Sequence, residues 1–204
     1  MDNLRFPIHY PKMNHLAFNR LCHQGLQASG YDPIQFEIRS LEVCKSTNDE
    51  VSKHLRSYPN SIVLSMIQEE GRGRGSKIWD SPIGGIWMSI GMNIQSEVIE
   101  LSTIVVNSVS KILNYYVKCN IKDPNDILVE NKKICGVLVE SKSSGSTFEQ
   151  IVIGIGINIF NEIPKDLIEI ATRLKDHCDP PSIPELASKI AVEVINDISK
   201  SLIS

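Results

Sequence analysis

The sequence predicts an α+β domain, with a mixed, largely antiparallel sheet flanked by helices. Three observations carry that expectation. Several β-rich runs are separated by polar, turn-like stretches short enough for hairpins. Amphipathic runs with helical periodicity stand beside these strands rather than after each one. The strict strand–helix alternation of a doubly wound sheet is missing.

Taken in order, residues 1–35 are weakly patterned, with Pro7, Pro11, Gly25, Gly30 and Pro33 among scattered hydrophobics. A short helix fits Leu16–Leu26, weakened at its end by Gly25. Strand character begins at Phe36–Leu41. CKSTNDEVSKHL then reads as a loop entering a helix, with Thr47-x-x-Glu50 in the pattern of a capping box. SIVLSMIQ (Ser61–Gln68) is β-rich, a glycine–arginine loop follows, and GIWMSIGMNI (Gly85–Ile94) is the next strand. A helix is expected over residues 98–117, with Leu101, Val105, Val109, Ile112, Leu113 and Tyr116 on one face. Asp126–Glu130 and Lys133–Glu140 read as two strands turning at Asn131. FEQIVIGIGINIF (Phe148–Phe160) is another strand, and Lys165–Leu174 is expected to be helical. The last helix starts near Pro184, a residue suited to a first turn. Leu186, Ile190, Val194, Ile195, Ile198 and Leu202 form its apolar face.

With 204 residues, 42% of them hydrophobic and 22% charged, the chain has the balance of a globular protein of one domain. The net charge of −3 argues against a nucleic-acid binder. Cys22, Cys44, Cys119, Cys135 and Cys178 are odd in number and irregular in spacing, which argues against a disulfide framework or zinc site. The N-terminus lacks the apolar core of a secretory signal. No apolar stretch approaches the ~20 residues that span a bilayer. A cytoplasmic location is the expectation.

Five segments carry chemistry. Gly71-Arg72-Gly73-Arg74-Gly75 follows a strand; its glycines allow close backbone approach and its guanidiniums suit phosphate or carboxylate. The same pattern also fits a nucleic-acid contact or a plain surface loop. Trp79 precedes Ser81-Pro82 and Gly84-Gly85, either as a purine platform or as a core residue. Lys122-Asp123-Pro124-Asn125-Asp126 is either an ordinary turn or a place where carboxylate oxygen meets magnesium phosphate. In Lys132–Glu140, simple alternation puts Lys133 and Cys135 on one face and Ile134 and Gly136 on the other. Gly154-Ile155-Gly156-Ile157-Asn158 fails as a dinucleotide fingerprint, because Ile159 stands where the third glycine belongs. Glycines on a strand mean a bulge or a close approach, and Asn158 offers a donor and an acceptor that suit an adenine edge or a strand-end turn.

In their order, Ser46-Thr47-Asn48, Gln68-x-x-Gly71-Arg72-Gly73-Arg74, Trp79-x-Ser81-Pro82-x-Gly84-Gly85, Pro124-Asn125-Asp126, Lys133-Ile134-x-Gly136-x-Leu138-x-Glu140 and Gly154-x-Gly156-Ile157-Asn158 resemble the biotin–protein ligase family. The resemblance runs over residues 36–204, which it makes a catalytic domain. It implies a fold like that of class II aminoacyl-tRNA synthetases. It also implies an enzyme that uses ATP and Mg2+ to convert biotin to biotinyl-5′-AMP. Biotin is then transferred to a lysine of a biotin carboxyl carrier domain, the activity of a biotin–[acetyl-CoA-carboxylase] ligase.

By the same resemblance, Ser46, Thr47, Asn48 and Gln68 recognise the ureido ring, while Gly71, Gly73, Gly136 and Gly154 shape the biotin site. Arg72 and Arg74 hold the biotin carboxylate and α-phosphate. Lys133 sits beside the reacting groups, and Asn125 and Asp126 face the nucleotide and magnesium. Trp79 and Asn158 lie near adenine. Lys133, Arg72 and Asp126 are the expected catalytic residues, with Asp126 orienting or deprotonating the incoming lysine. No dedicated metal ligands are expected beyond magnesium carried with ATP, and a homodimer through sheet edges is the family expectation.

Departures from the pattern are Gly75-Ser76-Lys77 where an Arg-Gly-Arg run is usual, and Asp123 where tryptophan is usual. An N-terminal DNA-binding domain and a small C-terminal β-barrel, both found in relatives, are expected to be absent. Competing expectations are a lipoate or octanoate ligase or transferase of the same fold, and a non-catalytic biotin or nucleotide binder.

Overall fold

A computed structural model describes residues 14–75, 77–97, 100–144 and 147–202. Seven strands form one sheet: β1 (Phe36–Cys44), β2 (Asn60–Gln68), β3 (Ile86–Glu97), β4 (Asn120–Lys122), β5 (Asp126–Val129), β6 (Lys132–Ser144) and β7 (Thr147–Ile157). Their spatial order is β1-β2-β3-β7-β6-β5-β4; among the described strands β1 and β2 pair in parallel and the other pairs are antiparallel. The expected α+β class and largely antiparallel sheet are thus observed. Four helices accompany it among the described residues: α1 (His15–Ala28), α2 (Thr47–His54), α3 (Leu101–Leu113) and α4 (Ile183–Ser201).

Alternation along the central strands sorts residues to two faces. Ile62 and Leu64 of β2, Ile86, Met88 and Ile90 of β3, and Ile151, Ile153, Ile155 and Ile157 of β7 enter the main core with α1, α3 and α4. The opposite face carries Ser61, Ser65, Ser89, Gly91, Gly154 and Gly156, with Val63 and Val152 meeting Val51 and Leu55 of α2. One face is therefore aliphatic and filled. The other, apart from Trp87, is smaller and more polar, with α2 over one part of it and Trp79 over another.

The helices follow their apolar stripes. In α4, Leu186, Ile190, Val194, Ile195 and Ile198 are fully buried, as its periodicity predicts, and Pro184 lies in the first turn. α3 ends at Leu113, short of the expected 117, and residue 98 of the expected start lies outside the described residues. α1 is slightly longer than expected, and Phe18, Cys22 and Leu26 are fully buried in the same core as the strands. Residues 14–35 therefore pack as part of this unit. The five cysteines are free, and burial pushes Cys22 up to about 12 and Cys119 up to about 11, leaving both as unreactive thiols at neutral pH.

Three local expectations change. Lys165–Leu174 is not one helix but two single-turn 3-10 segments, Lys165–Leu167 and Leu174–Asp176, with Ala171 bridged to Lys133 between them. The Thr47/Glu50 capping box does not form. Ser46 is the N-cap and makes no side-chain cap bond, the Thr47 hydroxyl turns to Gln68, and Glu50 pairs with Lys53. The alternation expected for Lys133 also fails, because β6 holds an extra residue. Ile127 opposes Cys135 but Leu128 opposes Lys133, so Ile134 is bulged. Ile134 and Cys135 both enter the core, whereas Lys133 joins Gly136 on the open face. The hairpin before it turns through Glu130 and Asn131, both at positive φ (50° and 65°), as a two-residue turn of that hand requires.

At Gly91, α2 sits tightly against the sheet. A Cβ there would lie 2.2 Å from Val51 Cγ1 and 2.7 Å from Leu55 Cδ1. Gly91→Ala is expected to destabilise the protein by about 1–3 kcal/mol, lowering the thermal midpoint by roughly 3–10 °C. An unchanged midpoint in a calorimetric scan would show that α2 can lift without cost.

Candidate functional site

On the polar face a cavity of about 410 Å³ opens between α2, the glycine–arginine segment and strands β3, β6 and β7. Its existence depends on missing side chains. A Cβ on Gly154 would lie 2.7 Å from Asn48 Oδ1, one on Gly156 2.5 Å from Trp79 Nε1, and one on Gly136 2.8 Å from Trp79 Cζ3. Pairing is in register at both β7 glycines, so they mark close approach and not a bulge.

The inner end is polar. Ser46, Thr47 and Asn48 are each under 5% exposed and line it together with Gln68. The amide oxygen of Gln68 accepts from the Thr47 backbone N–H at 2.8 Å and the Thr47 hydroxyl at 3.0 Å. Its amide nitrogen donates to Ser81 at 2.9 Å, and Ser81 donates to the Trp79 carbonyl. The Thr47 hydroxyl is 2.6 Å from that of Ser89, which donates to Asn48 Oδ1 at 2.5 Å. Asn48 in turn donates to Glu140 at 2.7 Å. Four neutral side chains of low exposure thus form a connected row, the arrangement a buried polar group requires.

The glycine–arginine segment is a narrow hairpin strap. Gln68 bridges to Ser81 and Arg72 to Ile78, and the Gly73 N–H donates to the Lys77 carbonyl at 2.8 Å. Gly75, with φ +66°, sits at the tip where a side chain would be strained. Ser76 lies outside the described residues. Arg72 bonds both oxygens of Asp49, at 3.0 and 2.8 Å, and lies 3.5 Å from Glu140. Arg74 crosses the mouth to Asn125 Oδ1 at 3.3 Å, and Asn125 is itself anchored to the Val137 carbonyl. Gly71 is buried behind the wall, where a Cβ would lie 2.3 Å from the Trp79 carbonyl oxygen.

At the outer end Lys133 Nζ stands 2.7 Å from Asp126 Oδ1 and 4.9 Å from the centre of the Trp79 ring. The pair is close but poorly aligned, since Asp126 Oδ1 is buried without a properly directed donor. Backbone bonds pin Lys133 on both sides, from its own N–H to Ile170 and to its carbonyl from Thr172. Trp79 is neither a plain core residue nor a free platform. One face lies on Gly136 and Gly156, and its ring meets Trp87 edge-on at 6.4 Å.

A second recess, of about 490 Å³, lies beyond Trp79 and is walled by Leu128, Asn158, Ile163, Pro164, Leu167 and Ile170. Lys77, Ile78, Trp79, Asp126 and Lys133 border both recesses. Asn158 belongs to this second recess only, and its amide is already engaged with Thr172 and Asn161. Asp123 is exposed and borders neither recess, so its carboxylate does not face either one.

Of the residues expected to bind or act, all but Gly71 and Asn158 therefore line one cavity. Ser89, Asp49 and the role of Glu140 were missed. Ser89 had one signal, a small polar residue on the face of a strand whose other face is aliphatic.

Residues 40–158 match the model of the biotin/lipoate A/B protein ligase family. The bifunctional ligase/repressor BirA of Bacillus subtilis is 34% identical over 125 residues, 56% of this chain and 38% of that protein. Biotin–protein ligase 2 of Arabidopsis thaliana is 32% identical over 149 residues, 68% of this chain and 44% of that protein. Among solved structures, the biotin protein ligase from Aquifex aeolicus in complex with biotin and ATP superposes with a TM-score of 0.71 at 26% identity, covering 82% of this chain and 72% of that one. The chain spans less than half the length of these two curated relatives.

Hydrogen bonds from Arg72 hold the Asp49 carboxyl below its ordinary value, against a smaller opposing effect of partial burial. Its folded pKa is thus below the unfolded one of about 3.9. The contribution of the pair is present at neutral pH and disappears as pH falls through the folded value. With side chains 39% and 44% exposed, that contribution is below about 1 kcal/mol. Asp49→Asn is expected to speed tryptic cleavage at Arg72, Arg74 and Lys77 at pH 7. The stability gap from wild type should close as pH falls below the ordinary carboxylate range. Equal cleavage rates at pH 7 would mean Asp49 does not hold the strap.

Proposed function

The chain belongs to the biotin/lipoate A/B protein ligase family, and from that premise we propose that it activates biotin with ATP and passes it to a lysine of a biotin carboxyl carrier domain. The observation that carries this reading is the junction of two recesses at Lys133, Asp126 and Trp79. A reaction between two bound molecules needs their reacting ends held together. The cavity with the polar floor takes biotin, its ureido ring toward Thr47, Asn48 and Gln68. The recess beyond Trp79 takes the adenosine.

The biotin carboxylate attacks the α-phosphorus of ATP, and the bond to pyrophosphate breaks. Negative charge in that transfer lies next to the Lys133 ammonium, with Arg74 on the strap and Arg72 behind it. Magnesium would come with ATP and offset phosphate charge; Asp126, with one buried oxygen lacking an aligned donor, and the Asn125 amide oxygen are the hard oxygens that would face it. The strap covers the resulting mixed anhydride and limits hydrolysis. The amine of the carrier lysine then attacks the anhydride carbonyl, and AMP leaves. Asp126 orients that amine or accepts its proton. Acetyl-CoA carboxylase is the proposed owner of the carrier domain, and a homodimer through sheet edges is the proposed assembly.

A lipoyl or octanoyl substrate suits the cavity less well. An alkyl chain would leave the Thr47–Ser89–Asn48 row facing an apolar group, at a desolvation cost of about 1–3 kcal/mol per unmatched polar group.

Biotin and Mg-ATP mixed with the purified chain are expected to yield biotinyl-AMP by mass spectrometry. Lys133→Ala should lower its formation by at least about 100-fold with unchanged circular dichroism. Full activity in that variant would remove the proposed site. Adenylate formed from octanoate or lipoate but not biotin would move the assignment to the sister activity.

A further inference from the structure

Glu140 touches no expected substrate position, yet it sets the hydrogen-bond polarity of the row that does. Its Oε2 accepts from Asn48 Nδ2 at 2.7 Å. The two ends of an asparagine amide have the same shape and opposite chemistry. A carboxylate only accepts, so Glu140 keeps the Asn48 NH2 group outward and its oxygen inward, toward Ser89. The Arg72 guanidinium stands 3.5 Å from the same Glu140 oxygen.

The consequence follows from counting protons. Three contacts run along the row: Thr47 to Gln68, Thr47 to Ser89, and Ser89 to Asn48. Two hydroxyls supply only two protons for them, because the Gln68 and Asn48 oxygens donate none. The row is therefore rich in acceptors. Turning the Asn48 amide over would supply the missing proton from Nδ2 and leave the row saturated with donors. Gln68 cannot make the same turn, because its oxygen already takes the Thr47 N–H and its nitrogen donates to Ser81.

We propose that Glu140 is a specificity-determining positioning residue. By locking Asn48 with its oxygen inward, it makes the cavity floor select a head group that carries N–H donors. The inference rests on the biotin reading above, since a cyclic urea is such a head group. Replacing Glu140 by glutamine, of the same shape but with a donor of its own, lets the Asn48 amide turn.

The test compares biotin with its cyclic carbamate analogue, in which one ring N–H becomes oxygen, by titration calorimetry. Wild type should prefer biotin by at least about tenfold, the discrimination expected of a site built to pair a ligand N–H. In Glu140→Gln the preference should shrink toward unity, with the thermal midpoint unchanged, and Glu140→Asp should restore part of it. A preference unchanged in Glu140→Gln, with biotin still bound, would overturn the inference alone. Failure of the wild-type protein to bind biotin would overturn the biotin reading and the inference with it.

Discussion

Everything at the site depends on the pairing register of β3, β7 and β6. In that register Ser89 faces Gly154, Gly154 faces Leu138, and Gly156 lies between Trp87 and Gly136. A slip of one residue would turn the isoleucines of β7 into the cavity and its glycines into the core. The same register that buries Ile151, Ile153 and Ile157 completely, and Ile155 almost so, therefore leaves the hollow on the other side. Core formation and cavity formation are one event.

Two departures from regular structure then furnish the hollow. The bulge at Ile134 rotates Lys133 out of the core and toward Asp126 and Trp79. The hairpin strap brings Arg72, Arg74 and Trp79 back across the mouth, fastened at Gln68–Ser81 and by Arg72 to Asp49. Neither departure is free: a bulge forgoes ladder bonds, and the strap places positive charges close together. Local partners offset these costs. Thr172 and Ile170 bond the Lys133 backbone, and Asp49 and Glu140 surround the Arg72 guanidinium.

Much of this was legible in the sequence because it is local. The apolar stripe of α4 has one physical reading at short range, whereas the β7 glycines fitted a bulge or a close approach and the glycines around Arg72 and Arg74 fitted an anion loop, a nucleic-acid contact or a plain surface loop. What misled was also local. Thr47 and Glu50 have the spacing of a capping box, but a buried hydroxyl beside Gln68 and Ser89 gains more from those partners than from a solvent-facing helix cap. Residues 165–174 have enough helix formers for a helix, but the segment instead bonds to the Lys133 backbone through Ile170 and Thr172.

The sequence by itself determined the α+β class and the filled face of the sheet, since these follow from periodicity and residue type, while the residues expected at the site followed from the resemblance of its ordered motifs to a family. The tertiary structure alone decided which way Lys133 points, that Asp49 and Glu140 hold Arg72, and that Ser89 joins Thr47 and Asn48. The first follows from a bulge that simple alternation does not mark, and the other two depend on contacts between residues 23 to 68 positions apart. No local pattern encodes such contacts, because they arise only when the strands have paired and α2 has settled on their polar face.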